Sequence, residues 1–346
     1  MLVSLVDKKS QNTILNGACY SLKESNIIFD IGRSFYKNED FYLQIKNNEK
    51  LFEPHYNHFS KIINLFISHI HEDHYAGIFN IPSDILINLY IGEVSFDILQ
   101  YKALEIGKPL PSFNEVNFFK NKNFVNIEHW NIIPVSIPHN IVDTWGFVVK
   151  RSGNENKFIY SPDISECFWN YFNVLENDTV LIDILPMLPD FMYNNDLDAI
   201  SKSKQREMGL ILFVDYGWDF DRINYFMNNY FFEKRVFFSK EMFNNSKIVN
   251  FQNKRNFDLL DFFNAQVLSD GIYICSISEL YDVILKYPKL ELNVISNVFE
   301  LSINNRDILS LTSYKFYNFF KSGHLPANKI EEYKRTHQGV DIITHN

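Results

Sequence analysis

A chain of 346 residues that is 46% hydrophobic and 16% aromatic can bury a large core, enough for two domains or one with an insertion. With only 12 glycines and 11 prolines, and no repeat or low-complexity tract, it is not a linker or fibrous protein. A net charge of −9 argues against broad electrostatic adhesion to nucleic acid, yet leaves room for a nuclease whose local cations attract phosphate.

The N-terminus, M-L-V-S-L-V-D-K-K, carries charge too soon for a signal peptide, and no stretch approaches the ~18 apolar residues of a membrane helix. Cys19, Cys167 and Cys275 follow no disulfide or metal spacing and read as reduced core thiols, so a cytoplasmic protein without a membrane partner is expected. Residues 2–35 read as strand, turn and strand, with Asn16-Gly17 as the turn. Ile27 to Gly32 is an apolar strand ending in the carboxylate of Asp30 and a glycine. Residues 36–60 are polar and aromatic, and His55 and His58 within them read as surface or substrate-side residues.

Ile62 to Ile67 reads as a buried strand, and the loop at its end carries His69, His71, Asp73 and His74 within six residues. Imidazoles and a carboxylate at this density suit Zn²⁺ or a similar divalent ion. His69 and His71, two apart, can face one ion, while Asp73 and His74 on the following turn can reach a second. Tyr75 to Asn80 should start a helix, Leu86 to Ile91 is a strand, and Gly92 to Leu104 is a helix. Ile132 to Asn140 is a strand whose end carries His139. Phe158 to Asp163 and Val180 to Asp183 are two more strands that end in carboxylates.

Beyond Ile184 the texture changes. Lys202, Lys204 and Arg206 occupy a polar stretch. Then strands at Leu210–Val214, Arg235–Phe238 and Gly271–Cys275 alternate with helices at Asp219–Phe232 and Ser276–Lys286. That alternation predicts a small α/β unit with a parallel sheet. Tyr225, Phe226, Tyr230, Phe231 and Phe232 read as core. The last forty residues hold the turn Ser322-Gly323-His324-Leu325-Pro326, a helix from Ala327 to His337 and a strand from Val340 to His345.

The pattern H-x-H-x-D-H resembles the signature of the metallo-β-lactamase superfamily. His139 followed by Asp143, Thr144 and the strand Gly146–Val149 resembles its third metal-binding element. Nearly the whole chain resembles the β-CASP branch, which includes RNase J and the endonuclease that cleaves pre-mRNA 3′ ends. S-G-H-L-P around His324 and I-I-T-H-N around His345 stand where that branch has its later motifs. The resemblance implies an αββα sandwich interrupted by an α/β insertion, with core residues 1–185, insertion 186–310 and return segment 311–346. It implies two Zn²⁺ ions per chain, with Mn²⁺ or Mg²⁺ as possible substitutes. His69, His71, His139 and Asp163 would hold one ion; Asp73, His74, Asp163 and His345 the other; Asp30 would support the loop from behind. It also implies a water-activating phosphodiester hydrolase in which His324, oriented by Asp183, assists the leaving oxygen. His345 resembles the RNA-acting members, so single-stranded RNA is the expected substrate. A DNA nuclease, or a small-molecule hydrolase of lactonase, thioesterase or cyclic-nucleotide phosphodiesterase type, is the rival within enzymes. A non-catalytic binding member would have lost metal ligands, and none is lost here. The departures are a short insertion, S-P-D where the family has G-D, and Asn346 after His345.

Overall fold

The computed structural model describes residues 2–4, 20–22, 26–32, 62–81, 83, 85–120, 123–139, 141–163, 171–183, 196–215, 217–231, 233–253, 256–260, 268, 270–287, 290–296, 314–319, 327–337 and 339–345. The chain divides into two compact units, residues 1–186 with 324–346, and residues 187–323. Among the described residues no helix is long and apolar enough to cross a membrane.

The first unit holds two six-stranded sheets. One runs in chain order through β1 (Leu2–Ser4), β2 (Tyr20–Leu22), β3 (Ile27–Phe29), β4 (Ile62–Phe66), β5 (Leu86–Ile91) and β6 (Phe113–Phe118). From β3 to β6 the neighbours are parallel, and β4 is apolar but for Asn64, with Ile63, Leu65 and Phe66 buried. The helix α1 (Glu72–Tyr75) follows β4 and runs into a 3₁₀ turn over Ala76–Asn80; α2 (Glu93–Ile106) crosses from β5 to β6. The helix expected to start at Tyr75 thus begins three residues earlier, and Asp73 and His74 lie inside it rather than ahead of it.

The other sheet is ordered β18 (Asp341–His345), β11 (Thr179–Asp183), β10 (Lys157–Ser161), β9 (Trp145–Arg151), β8 (Trp130–Ser136), β7 (Val125–Ile127). β7 to β10 form an antiparallel meander, while β10, β11 and β18 are parallel. The two sheets meet face to face through Phe29 and Phe66 of the first and Trp130, Ile132, Trp145, Phe147 and Tyr160 of the second. Phe147 has its ring centroid 5.3 Å from Phe29 and 5.6 Å from Phe66. The outer face of the second sheet buries Ile159, Val180 and Ile182 against Tyr333 of the helix Ala327–Thr336. Helices outside and sheets inside give four layers.

In the second unit six strands are all parallel, in the order β14 (Phe257–Leu259), β13 (Val236–Phe238), β15 (Ile272–Ser276), β12 (Ile211–Asp215), β16 (Asn293–Ser296), β17 (Lys315–Asn318). β17 pairs with β16 and extends the sheet of this unit toward Gly323 in sequence. A short helix, α3 (Lys202–Glu207), precedes β12. On one face, Phe226 of α4 (Phe220–Asn229) packs with its ring tilted and centred 4.3 Å from Phe213, and α5 (Lys240–Ile248) follows β13. The other face buries Leu280 and Val283 of α6 (Ile277–Lys286) with Leu212, Val214, Tyr273 and Cys275. The aromatic stripe is therefore largely core, as expected: Phe226, Tyr230 and Phe231 are buried, while Tyr225 is exposed. Burial first, then Glu279, Glu241 and Asp215, hold the Cys275 thiol well above its usual range, as befits an inert core cysteine. The helix Ala327–Thr336 of the first unit is α7.

Candidate metal centre

β4 ends at Phe66, and the next residues turn across the edge of the sheet with their backbone tied to neighbouring strands: Ile67 N donates to Tyr90 O, and Asp30 N to Phe66 O. Asp30 itself has φ 57, a left-handed conformation that Asp tolerates better than most residues. There its carboxylate lies beneath the His-rich loop. Oδ1 accepts from Ser68 N at 2.7 Å; Oδ2 accepts from Ser68 Oγ at 2.7 Å, His74 Nδ1 at 2.9 Å and Tyr160 Oη at 2.5 Å. The loop is also clamped from the helix side, since Ile31 N donates to His74 O and Gly77 N to Ile31 O, both at 2.8 Å.

Counting protons fixes the ring tautomers. An ionised carboxylate only accepts, so His74 carries a proton on Nδ1 and turns Nε2 toward Asp163 and Asp73. Ser68 has one hydroxyl proton and gives it to Asp30, so at 3.0 Å it accepts from His69 Nδ1–H, and His69 likewise offers Nε2. Such backing is how proteins orient imidazole ligands.

The offered atoms converge. His69 Nε2 and His139 Nε2 stand 3.0 and 3.1 Å from His71 Nδ1, and Asp163 Oδ2 lies 3.7, 3.5 and 3.9 Å from His69, His139 and His71. On its other side Asp163 Oδ2 is 3.5 Å from His74 Nε2, which is 3.9 Å from Asp73 Oδ2. Two donor groups result, His69/His71/His139/Asp163 and Asp73/His74/Asp163, each with its donor atoms within 4.8 Å of one another. His69, His74, His139 and Asp163 are buried, whereas the side chains of His71 and Asp73 are 26% and 22% exposed and mark the open side.

The electrostatics fit a cation. Burial, and then the neighbouring His74, hold His69 well below the usual histidine range, which keeps the ring neutral, as a metal ligand would have to be. Burial also pushes His74 down, but Asp73 and Asp163, with hydrogen bonds from Asp163 and Asp30, outweigh it and raise His74 well above that range. The carboxylates thus favour a positive charge between them, which a divalent ion would supply in place of a proton. A ring nitrogen carries either one proton or one lone pair, so His71 Nδ1 makes at most one linear hydrogen bond to its two neighbours, whereas a shared cation would suit all three nitrogens. Imidazole nitrogen with carboxylate oxygen is a donor set for Zn²⁺, and also serves Mn²⁺.

Six of the seven sequence-predicted ligands, His69, His71, Asp73, His74, His139 and Asp163, come together here, with Asp30 behind them. For the seventh, His345, the backbone register pairs it with Asp183 across the parallel strands β18 and β11. Both end at the same edge of the second sheet as β10, two residues before Asp163. His324 lies outside the described residues, as do His55, His58, Cys19 and Cys167. Ser68 and Tyr160 were not singled out from the sequence. Ser68 had only its place beside His69 as a signal, and Tyr160 looks like any other core aromatic.

No family model matches the chain, and no curated protein matches it by sequence. Among solved structures it is similar to a protein of unknown function from Enterococcus faecalis V583, at 12% identity and TM-score 0.64, over 96% of this chain and 91% of that one. That likeness concerns the fold alone. Zn²⁺-bound PqqB from Methylobacterium extorquens is similar at 11% identity and TM-score 0.38, over 48% of this chain and 59% of that one. The short form of human tRNase Z is similar at 15% identity and TM-score 0.36, over 56% and 80%. The last two likenesses are too slight to carry an argument. The two facing sheets, with a helix packed on the outer face of the second, make the first unit an αββα sandwich, with a parallel α/β unit inserted in the chain between its two parts.

Proposed function

We propose that the protein is a metal-dependent hydrolase of phosphodiester bonds, with RNA as its substrate. The observation that supports this most is the shared carboxylate: Asp163 Oδ2 is 3.5 Å from both His139 Nε2 and His74 Nε2, so one ligand serves both donor groups. His69, His71, His139 and Asp163, and Asp73, His74 and Asp163, would hold divalent ions, zinc by preference, and these would supply the Lewis acidity that makes water a nucleophile near neutral pH. The chain's own residues do the rest. Ser68 and Asp30 hold His69 and His74 in the tautomers that ligate. Asp73 holds the second group open to solvent, where its accessible carboxylate would take up the water proton. His345 would complete that group from β18, and Asp183, its register partner, would orient His324 as the acid for the leaving oxygen.

RNA is preferred because a histidine stands at the end of β18, as in the RNA-acting members of the branch the sequence resembles, and because an α/β unit interrupts the sandwich as it does in that branch. The net charge of −9 favours a second reading, a small-molecule hydrolase of the same fold. Labelled single-stranded RNA and DNA, incubated with the wild type and with Asp73→Ala/His74→Ala, decide between them. RNA cleavage that the double variant loses supports the nuclease. Metal-loaded protein that cuts neither polymer but opens a lactone, thioester or cyclic nucleotide moves the assignment to the second reading.

A further inference from the structure

The third histidine of the first donor group, His139, sits in a loop between β8 and β9 that carries no support from Asp30. Its neighbours supply a different one. Ile137 N donates to Thr144 O at 3.0 Å and Thr144 Oγ1 to Ile141 O at 3.0 Å, so the loop closes on itself. The exit is pinned twice. Trp145 N donates to Ser68 O at 3.0 Å, beside His69, and Asp143 reaches across to α2.

The contact with α2 is unusual in its chemistry. The helix begins after Gly92, which has no side chain to cap the first-turn N–H groups. Asp143 fills that role from a distant part of the chain: Oδ2 accepts from Ser95 N at 2.9 Å, and its carbonyl accepts from Ser95 Oγ at 3.2 Å. Its other oxygen, Oδ1, accepts from Trp145 Nε1 at 2.7 Å. A Cβ at position 92 would fall 2.0 Å from Oδ2, so only glycine leaves room for the carboxylate. Asp143 adopts φ 63 to make these contacts.

We propose that Asp143 is a positioning residue for His139: by bracing α2 and Trp145 at once, it sets the His139 loop at the distance from which Nε2 reaches His71 and Asp163. The inference rests on the metal-site reading above. It predicts that a change at Asp143 is felt in metal affinity and not only in helix stability.

Asp143→Asn is the informative variant. An amide has one acceptor oxygen, so its NH2 must face either Ser95 N or Trp145 Nε1, and one arm of the brace is lost. Zinc affinity is measured by chelator competition well below the unfolding temperature, on protein shown by circular dichroism to be folded, and the cobalt-substituted protein is followed by its visible bands. The expected result is a roughly 10- to 100-fold weaker ion in one of two sites, the size found for residues that support metal ligands, with the other site retained. Unchanged affinity alongside a lower unfolding temperature would overturn the proposal, leaving Asp143 a helix cap only. Should Asp143→Asn fail to fold, Trp145→Phe removes just the Nε1 arm; a smaller weakening supports the brace and an unaltered affinity rejects it. Wild-type protein that binds no metal at all refutes the metal-site reading itself, and this proposal with it.

Discussion

Asp30 Oδ2 stands 2.9 Å from His74 Nδ1 and, through the hydroxyl of Ser68, holds His69 as well, so one buried carboxylate orients a ligand in each donor group. The two groups are thereby joined behind the loop as well as in front of it, where Asp163 is shared.

Asp30→Ala should therefore weaken both ions together. It also leaves the donors Ser68 Oγ, His74 Nδ1 and Tyr160 Oη facing a void. Breaking a buried charged network of this kind costs about 3–5 kcal/mol, so a large fall in the unfolding temperature is expected with the metal loss. Ser68→Ala should act mainly on the His69 side, costing about 1–3 kcal/mol for the partner left unmatched. Equal metal retention in the two variants, measured by chelator competition, would contradict the division of labour.

Metal loading should fall in acid, because each imidazole must be neutral to bind. His74 is raised and His69 is lowered, so protons compete for the Asp73/His74 group at a higher pH than for the group of His69. A zinc titration across pH should show two steps, with the former group emptying first. The sign reverses for the chelated protein's stability. A histidine with a raised folded value contributes stability that is complete below pH 6.5 and is lost as pH rises through that value. The unfolding-temperature gap between wild type and His74→Gln, with chelator present, should shrink from neutral to alkaline pH.

Gly77 is the point where α1 and its 3₁₀ turn pass closest to the strand end at Ile31. A Cβ there would lie 2.9 Å from Gly32 O and Ile31 O. Gly77→Ala should cost about 1–3 kcal/mol by overpacking, and it should also loosen His74, whose carbonyl accepts from Ile31 N. Calorimetry paired with metal content checks both effects.

In the second unit, burial first and then Glu241 raise Glu279, against hydrogen bonds that lower it. Its carboxylate accepts from Ser276 N at 3.1 Å and Glu241 N at 3.3 Å across the start of α6. A carboxyl group with a raised folded value favours the fold below pH 4.5, and that contribution is lost as pH rises through the folded value. Wild type should therefore gain least over Glu279→Gln at neutral pH and most near pH 4, in thermal unfolding followed across that range.

The architecture was largely legible because long apolar runs ending in carboxylates or histidines mark the parallel strands: β5 was read to the residue, and β4, β10, β11 and β12 to within one or two. Six candidate ligands were legible because each stands just past the end of an apolar strand, β4, β8 or β10, and the structure brings these three strand ends together. Three things were not. The start of α1 was misplaced because the His-rich loop doubles as the helix's first turn, and no capping signal precedes Glu72. The strand β17 was not read because K-F-Y-N is too short a run to announce one. Tyr160 and Asp143 went unassigned because their partners, Asp30 and Ser95, are 130 and 48 residues away in sequence, and no local pattern encodes such contacts.

Everything functional in this account depends on the loop that follows β4 holding cations. The most direct check is the metal content of the purified chain by plasma mass spectrometry after dialysis against a weak chelator. Close to two divalent ions per chain, falling sharply in Asp163→Ala because that residue serves both groups, is the predicted result. A chain that binds no stoichiometric metal under these conditions, with Asp163→Ala indistinguishable from wild type, would contradict it.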